Sequence, residues 1–205
     1  IVEVLEYLKS HLESGKPARS FEREDQDEGV FREMMLLTDK PILYVCNVDE
    51  ASSIKGNEYT ERFKESIKDE NAEIILISAG IEAEIAELDS LEDRQAFLAE
   101  MGLDEPGVNK LIRAAYHLLN LITYITAGVK EVRAWTVTRG TLAPQAAGVI
   151  HTDFEKGFIR AEVIKYADFV HYGSEAAVKE AGKMSVEGKE YTVQDGDIMH
   201  FRFNV

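Results

Sequence analysis

Two short runs constrain the fold of this chain more than anything else in it. Ile42-Leu43-Tyr44-Val45-Cys46 and Glu73-Ile74-Ile75-Leu76-Ile77 are almost continuously apolar, and each ends abruptly, in Asn47-Val48-Asp49-Glu50 and in Ser78-Ala79-Gly80. An apolar run without alternation reads as a strand buried on both faces, the habit of parallel sheets. Between the runs, residues 57–69 are polar except for Tyr59, Phe63 and Ile67 at spacing four, which predicts a surface helix. Ile81, Ile85 and Leu88 repeat a helical spacing after the second run. Strand, helix, strand, helix predicts α/β architecture with a parallel sheet.

The flanks read differently. Ile1, Leu5, Leu8 and Leu12 predict a helix stopped by Gly15-Lys16-Pro17, and Val30, Met34 and Leu37 predict a second short one. Helices are expected at 91–101 and 107–121. After residue 121 the rhythm changes to strands at 121–126 and 131–137, joined by a turn at Ala127-Gly128-Val129-Lys130. A helix at 143–150, a strand at 159–164 and a helix at 174–181 follow. Strands at 189–193 and 198–203 flank Asp195-Gly196, a tight-turn signal. This predicts a compact, strand-rich α+β domain over 121–205.

Composition excludes several classes. With 45% hydrophobic residues the 205-residue chain can build a core, so it is not a disordered one. Cys46 has no cysteine partner within the chain, which fits a reducing compartment. No apolar run reaches the roughly 18 residues of a membrane span. The net charge of −15 argues against DNA and against general nucleic-acid binding. That charge is uneven. Residues 121–205 hold 10 Lys/Arg and 11 Asp/Glu, against 13 and 27 before them, so the C-terminal part is near neutral and can meet RNA through a local patch. The start, Ile1-Val2-Glu3-Val4-Leu5, has neither an initiator Met nor a signal-peptide layout, and the expectation is a piece of a longer chain.

The usual phosphate-cradling loop, Gly-x4-Gly-Lys-Ser/Thr, does not occur: Gly15-Lys16, Gly182-Lys183 and Gly188-Lys189 lack both the following hydroxyl residue and the earlier glycine. The segments at Asn47 and Ser78 nevertheless stand just past two strands, where parallel α/β proteins place ligand contacts. They resemble the base-recognition half of a P-loop nucleotide-binding domain, whose GTPase members carry Asn-Lys-x-Asp and Ser-Ala. Here Val48 replaces the Lys and Glu50 the Asp. Glutamate is one methylene too long for the same bidentate grip on guanine, at a cost of roughly 1–3 kcal/mol for unmatched donors. A plainer reading is that Asn47 caps a turn and Glu50 is a solvated acid at a helix start.

Other candidates are weaker. His151 and Asp153 are two metal-type ligands without a third. His11, His117, His171 and His200 read as structural, and Cys46 as an inert core residue. Glu82, Glu84 and Glu87 read as a solvated helix face. Trp135 and Phe154 are the types that stack on RNA bases, although Trp135 in an alternating strand reads as core. Lys156, Arg160 and Lys165 form a modest basic stripe near Phe158.

Asn47-Val48-Asp49-Glu50, Ser78 to Ile85, Thr126 to Trp135, Ala143-Pro144-Gln145-Ala146-Ala147-Gly148, His151 to Glu162 and Asp195-Gly196-Asp197 together resemble the YchF family, the Obg-like ATPases, over essentially the whole chain. The resemblance implies the end of a helical insertion and return helix at 1–39, the second half of a P-loop nucleotide-binding domain at 40–120, and a β-grasp domain of TGS type at 121–205. It implies that Asn47 contacts the purine, that Val48 contacts adenine, that Glu50 replaces the guanine-selecting acid, and that Ser78 and Ala79 line the base pocket. ATP would be preferred, with GTP as a further ligand. The phosphate loop, Mg²⁺ site and switch segments would precede Ile1, so no catalytic or metal residue carries over, and this chain alone is predicted to be inactive. The family also implies a cytoplasmic protein that associates with the ribosome, with Lys156 and Arg160 as the expected RNA contacts. The alternative is a stand-alone TGS-type ribosome- or RNA-docking module without hydrolysis.

Overall fold

The computed structural model describes residues 2–70, 72–128 and 131–204. Ile1 of the predicted first stripe and Val129-Lys130 of the expected turn lie outside the described residues. The chain divides into two compact units, one ending at Leu118 and the other beginning at Leu119.

The first unit opens with α1 (Val2–Glu13), followed by a 3-10 turn at Ala18–Ser20 and by α2 (Glu28–Met34). Leu8, Ala18 and Phe31 form a small core there, with Val4, Leu12, Phe21 and Leu36 packed on it. The expected stripe of Val30, Met34 and Leu37 is not what α2 buries. Phe31 is 1% exposed whereas Leu37 is 79% exposed, because Met35 turns left-handed (φ 48) and ends the helix before Leu37.

β1 (Leu43–Asn47), α3 (Glu58–Ser66), β2 (Glu73–Ile77), α4 (Ala79–Glu87), α5 (Leu91–Glu100) and α6 (Gly107–Leu118) complete the unit. β1 and β2 pair in parallel, with Leu43 opposite Glu73 and Asn47 opposite Ile77. This bears out the predicted strand–helix–strand order. Burial on both faces does not follow: β1 is only half-buried and Val45 is 46% exposed. Asn57 starts α3 with a capping box, its side chain accepting from Tyr59 N and Thr60 N while Thr60 Oγ1 accepts from Asn57 N. Ile81 and Ile85 of α4 meet Leu98 of α5 in a second small core, as their spacing predicts.

The second unit contains β3 (Leu121–Ala127), β4 (Val132–Thr138), α7 (Ala143–Ile150), α8 (Thr152–Lys156), β5 (Phe158–Lys165), α9 (Tyr166–Tyr172), α10 (Glu175–Glu180), β6 (Ser185–Glu187) and β7 (Asp197–Phe203). α6 stops at Leu118, earlier than expected, and Asn120 (φ 53) turns the chain directly into β3. The sheet order is β4-β3-β7-β5-β6. β3 and β4 form the antiparallel hairpin that the alternation predicts, and β7 lies between β3 and β5, parallel to the first and antiparallel to the second. A sheet whose first and last strands lie side by side and parallel, crossed by a helix, has the β-grasp arrangement.

Both faces of this sheet are covered. Successive strand residues point to opposite faces, and the neighbours Val163 and Ile164, like Met199 and Ile198, are buried in different cores. One core packs against Ala143, Ala146 and Ala147 of α7, and the other against Val178 of α10 and Phe169 of α9. Buried Tyr124 ties α7 to the sheet, its hydroxyl donating to Ala146 O at 2.8 Å. Burial raises the pKa of that phenol.

The expected hairpin of 189–193 with 198–203 is absent. Asp195-Gly196 does turn, with Gly196 at φ 77 and Asp197 N donating to Gln194 O. However, Thr192 bridges Leu142 instead, and the short strand beside β5 is β6 at Ser185–Glu187. Helices α8 and α9 were not anticipated by the periodicity.

Candidate functional site

The parallel register brings the two polar segments of the first unit side by side. Asn47 closes β1 opposite Ile77, and Val48 N donates to Ile77 O at 2.9 Å, extending the ladder by one bond. Asn47 Oδ1 accepts from Ala79 N at 3.0 Å. The side chain at the end of β1 thus satisfies a free N–H of α4, the helix that follows β2. Ser78 occupies the N-cap position of α4 and is buried, and it makes no side-chain cap. The capping function has passed to Asn47.

Val48 is half-buried, whereas Asn47, Glu50 and Ala79 are exposed. Asp49 Oδ1 accepts from Ser52 N at 2.9 Å and starts a 3-10 turn, Glu50–Ser52, that carries Glu50 outward. Of the five expected base-pocket residues, Asn47, Val48, Ser78 and Ala79 therefore meet beyond the carboxyl ends of two parallel strands, and Glu50 stands exposed on the turn that follows β1. They present an amide, a half-buried aliphatic group and an exposed carboxylate next to a helix N-terminus.

Glu82 departs from the sequence reading. It is not a solvated face residue: its carboxylate accepts from Gly107 N at 2.6 Å and from Val108 N at 3.2 Å. A carboxylate on the first turn of α6 satisfies orphan N–H groups and complements the helix dipole. The fit is close, since a Cβ on Gly107 would lie 2.9 Å from Glu82 Oε1 and 3.2 Å from Ile77 Cγ2. Local sequence around Glu82 gave no sign of this role; the glycine opening α6 was the available clue. Glu82 holds α6 against the end of β2 and so supports the loops on which Asn47 and Ser78 stand.

In the second unit Lys156 ends α8 and is exposed. Arg160 lies on β5, 3.9 Å from Glu162 and opposite Arg202 of β7. Arg202 also reaches Glu162, at 3.0 Å, and that bond holds the glutamate's pKa below the ordinary carboxylate value. The expected stripe changes in two ways. Phe158 is buried and offers no stacking face. Lys165 is committed to Asp197 at 2.6 Å and to the Tyr191 hydroxyl at 2.9 Å. Partial burial alone would lower the lysine's pKa, but the bonds to Asp197 and Tyr191 outweigh it and raise the value.

Trp135 donates from Nε1 to Thr126 Oγ1 at 2.9 Å and carries the Arg133 guanidinium 4.2 Å above its ring. It is half-buried and packs against the core beneath α7. Of the histidines, His11 bonds Pro17 O and Ser20, and His200 bonds Glu175 at 2.9 Å. His151 caps α8 through Nδ1, accepting from Asp153 N, and His117 is exposed rather than set in a core. Among the described residues no group of three or more His, Cys, Asp or Glu is placed to hold a metal ion. No described helix is long and apolar enough to cross a membrane.

A parallel strand pair with polar loops at its carboxyl ends, and a five-stranded mixed sheet clothed by helices, define a mixed α/β protein. Residues 121–204 match the family YchF-GTPase_C, described as a protein of unknown function (DUF933). The chain is 53% identical over 205 residues to the ribosome-binding ATPase YchF of Bacillus subtilis, covering 99% of this chain and 56% of that protein. It is 45% identical over 197 residues to Obg-like ATPase 1 of Rattus norvegicus, covering 94% of this chain and 49% of that one. The structure of the Schizosaccharomyces pombe YchF GTPase superposes with a TM-score of 0.86 at 34% identity, over 98% of this chain and 53% of the other. The chain belongs to the YchF family. It spans about half the length of the curated relatives it matches.

Proposed function

We propose that this chain supplies the base-reading half and the TGS-type β-grasp domain of an Obg-like, ATP-preferring nucleotide hydrolase that works on the ribosome in the cytoplasm. The carrying observation is the bond from Ala79 N to Asn47 Oδ1. It fixes the two loops at one level and leaves the Asn47 amide nitrogen to donate to a purine ring nitrogen. Glu50 is exposed where GTPases carry the acid that reads guanine. A carboxylate only accepts hydrogen bonds at neutral pH. Guanine needs both its edge donors matched in one plane, which a longer and less constrained glutamate does not do, whereas the same edge of adenine carries no N–H donor and loses nothing by the exchange. Val48 supplies an apolar contact to the base, with Ser78 and Ala79 at its side, and GTP binds more weakly.

No phosphate or Mg²⁺ contact, and no hydrolytic step, is placed on the described residues. Mg²⁺, when bound with ATP, would neutralise phosphate charge. The names of relatives, ribosome-binding ATPase YchF among them, support the ribosomal partner. Exposed Lys156 and Arg160 in a near-neutral unit offer the contact to RNA phosphates.

The test is co-sedimentation of the complete protein with ribosomes, with and without ATP, for the wild type and for Lys156→Glu with Arg160→Glu. Binding should respond to ATP and fall with the charge reversal. Pelleting that ignores both would overturn this reading; pelleting that ignores ATP and still depends on the two cations would favour the stand-alone docking module.

A further inference from the structure

Ser78 is 6% exposed and stands at the N-cap position of α4, a helix of nine residues. Its carbonyl accepts from Glu82 N at 3.0 Å and starts the helix. A serine at this position ordinarily uses its hydroxyl as well, accepting from an N–H of the first turn. Ser78 does not, and among the described residues its hydroxyl has no hydrogen-bond partner. The cap comes instead from Asn47 Oδ1, on Ala79 N. A buried hydroxyl left unpaired is costly. Alanine, which has no polar group to bury, would serve the same packing.

The hydroxyl is set between the two loops. Ser78 precedes Ala79 in the chain and so lies beside the Asn47 amide. It also lines a narrow cleft with Ser53, the residue after the Glu50–Ser52 turn. A Cβ on Gly80 would stand 3.7 Å from Ser78 Oγ, so that oxygen lies over the first turn of α4. In the base-reading function Glu50 faces the N1 and C2 side of the purine. N3 lies beside the ribose, so the ring nitrogen left for Asn47 Nδ2 is N7. Carbon 6 lies between N1 and N7. Its substituent therefore falls between the turn that carries Glu50 and the Asn47 amide, where Ser78 stands. In adenine that substituent is an amine, and a hydroxyl oxygen can accept from it.

We propose, resting on that base-reading function, that Ser78 is a specificity-determining residue whose hydroxyl oxygen accepts a hydrogen bond from the 6-amino group of adenine. The pocket then requires a hydrogen-bonding group at position 6, in addition to the selection made at the Glu50 edge. Because Asn47 caps the helix, the Ser78 hydroxyl is free for the ligand.

The test uses the complete protein and purine riboside triphosphate, which keeps the ring nitrogens of ATP and lacks the amino group. Each nucleotide displaces labelled ATP from the wild type and from Ser78→Ala. The wild type should bind ATP about 2- to 10-fold more tightly than the unsubstituted purine, the worth of one net hydrogen bond. Ser78→Ala should abolish that difference and leave the affinity for the unsubstituted purine unchanged. It should also unfold in urea at a midpoint no lower than that of the wild type, because the hydroxyl does not cap α4. Equal affinities in the wild type, or the same difference in both proteins, overturn the proposal and leave ATP binding itself standing. Equal weakening of both nucleotides with a lowered urea midpoint also overturns it, since the hydroxyl would then serve the fold. Binding of neither nucleotide by the wild type overturns the base-reading function, and this contact with it.

Discussion

Asn47 Oδ1 accepts a hydrogen bond from Ala79 N at 3.0 Å, across 32 residues of sequence. One side chain at the end of β1 thereby caps the helix that follows β2. The two loops of the proposed base pocket are coupled before any ligand arrives. Oδ1 serves the fold and Nδ2 is left for a ligand.

That division of labour separates two substitutions. Asn47→Ala removes the cap and should destabilise the chain by about 0.5–2 kcal/mol in urea unfolding. Asn47→Asp keeps the acceptor and places a charge at a helix N-terminus, so stability should be held or slightly raised. In the complete protein it should still lose nucleotide affinity, because the donor is gone. Equal affinity for Asn47→Asp and wild type would remove Asn47 from the pocket.

Glu50→Asp together with Val48→Lys restores the residue types of a guanine reader. The ATP:GTP affinity ratio of the complete protein should move toward GTP by about tenfold or more, the equivalent of roughly 1–3 kcal/mol for matched edge donors. Competition binding measures it, and an unchanged ratio would sink the account of base selection.

Glu82→Ala leaves Gly107 N and Val108 N without their acceptor. The expected loss is about 1–3 kcal/mol, and Glu82→Gln should recover part of it by keeping one oxygen acceptor. Gly107→Ala should also destabilise, since the new methyl group would press on Glu82 and Ile77. Chemical denaturation reads all three. Wild-type stability in Glu82→Ala would show that the helix end is satisfied by other means.

Lys165 offers a test in alkaline solution. A lysine whose folded pKa is raised contributes stability that is complete below the unfolded value and is lost as pH rises through the folded one. The ordinary value is 10.5, so the wild type should be level through neutral pH and should lose stability only above about that point. Lys165→Met should reduce this alkaline slope, and the part that remains belongs to Tyr124, Tyr191 and Tyr44, whose pKa values are also raised. The substitution should also cost about 1–3 kcal/mol at pH 7, less than for a fully buried pair, because Asp197 is 0% exposed while Lys165 is half-exposed. Melting curves of both proteins across pH check the two effects together, and the same alkaline slope in Lys165→Met would assign it to another group.

Periodicity made much of the fold legible where partners are close in sequence or where a pattern is strict. The helix at 143–150 and the strand–helix–strand order of the first unit are examples. It misled at 189–193, whose apparent strand bridges Leu142, some 50 residues earlier, instead of its neighbour across the Asp195-Gly196 turn. It misled at Glu82 for the same reason, since the groups that desolvate that carboxylate lie 25 residues on. The convergence of Asn47 and Ala79 followed from reading both strands as parallel. The identity of the ligand did not: an amide, a valine and a glutamate at strand ends are equally the parts of a capped turn, and only the family's motifs turn them toward a purine.

The central claim is that Asn47, Val48 and Glu50 read adenine. The most direct measurement displaces labelled ATP from the protein expressed from its complete reading frame, using unlabelled ATP and GTP. Clear displacement by ATP at concentrations where GTP is ineffective is the expected result. Equal displacement, preference for GTP, or no binding of either nucleotide would contradict it.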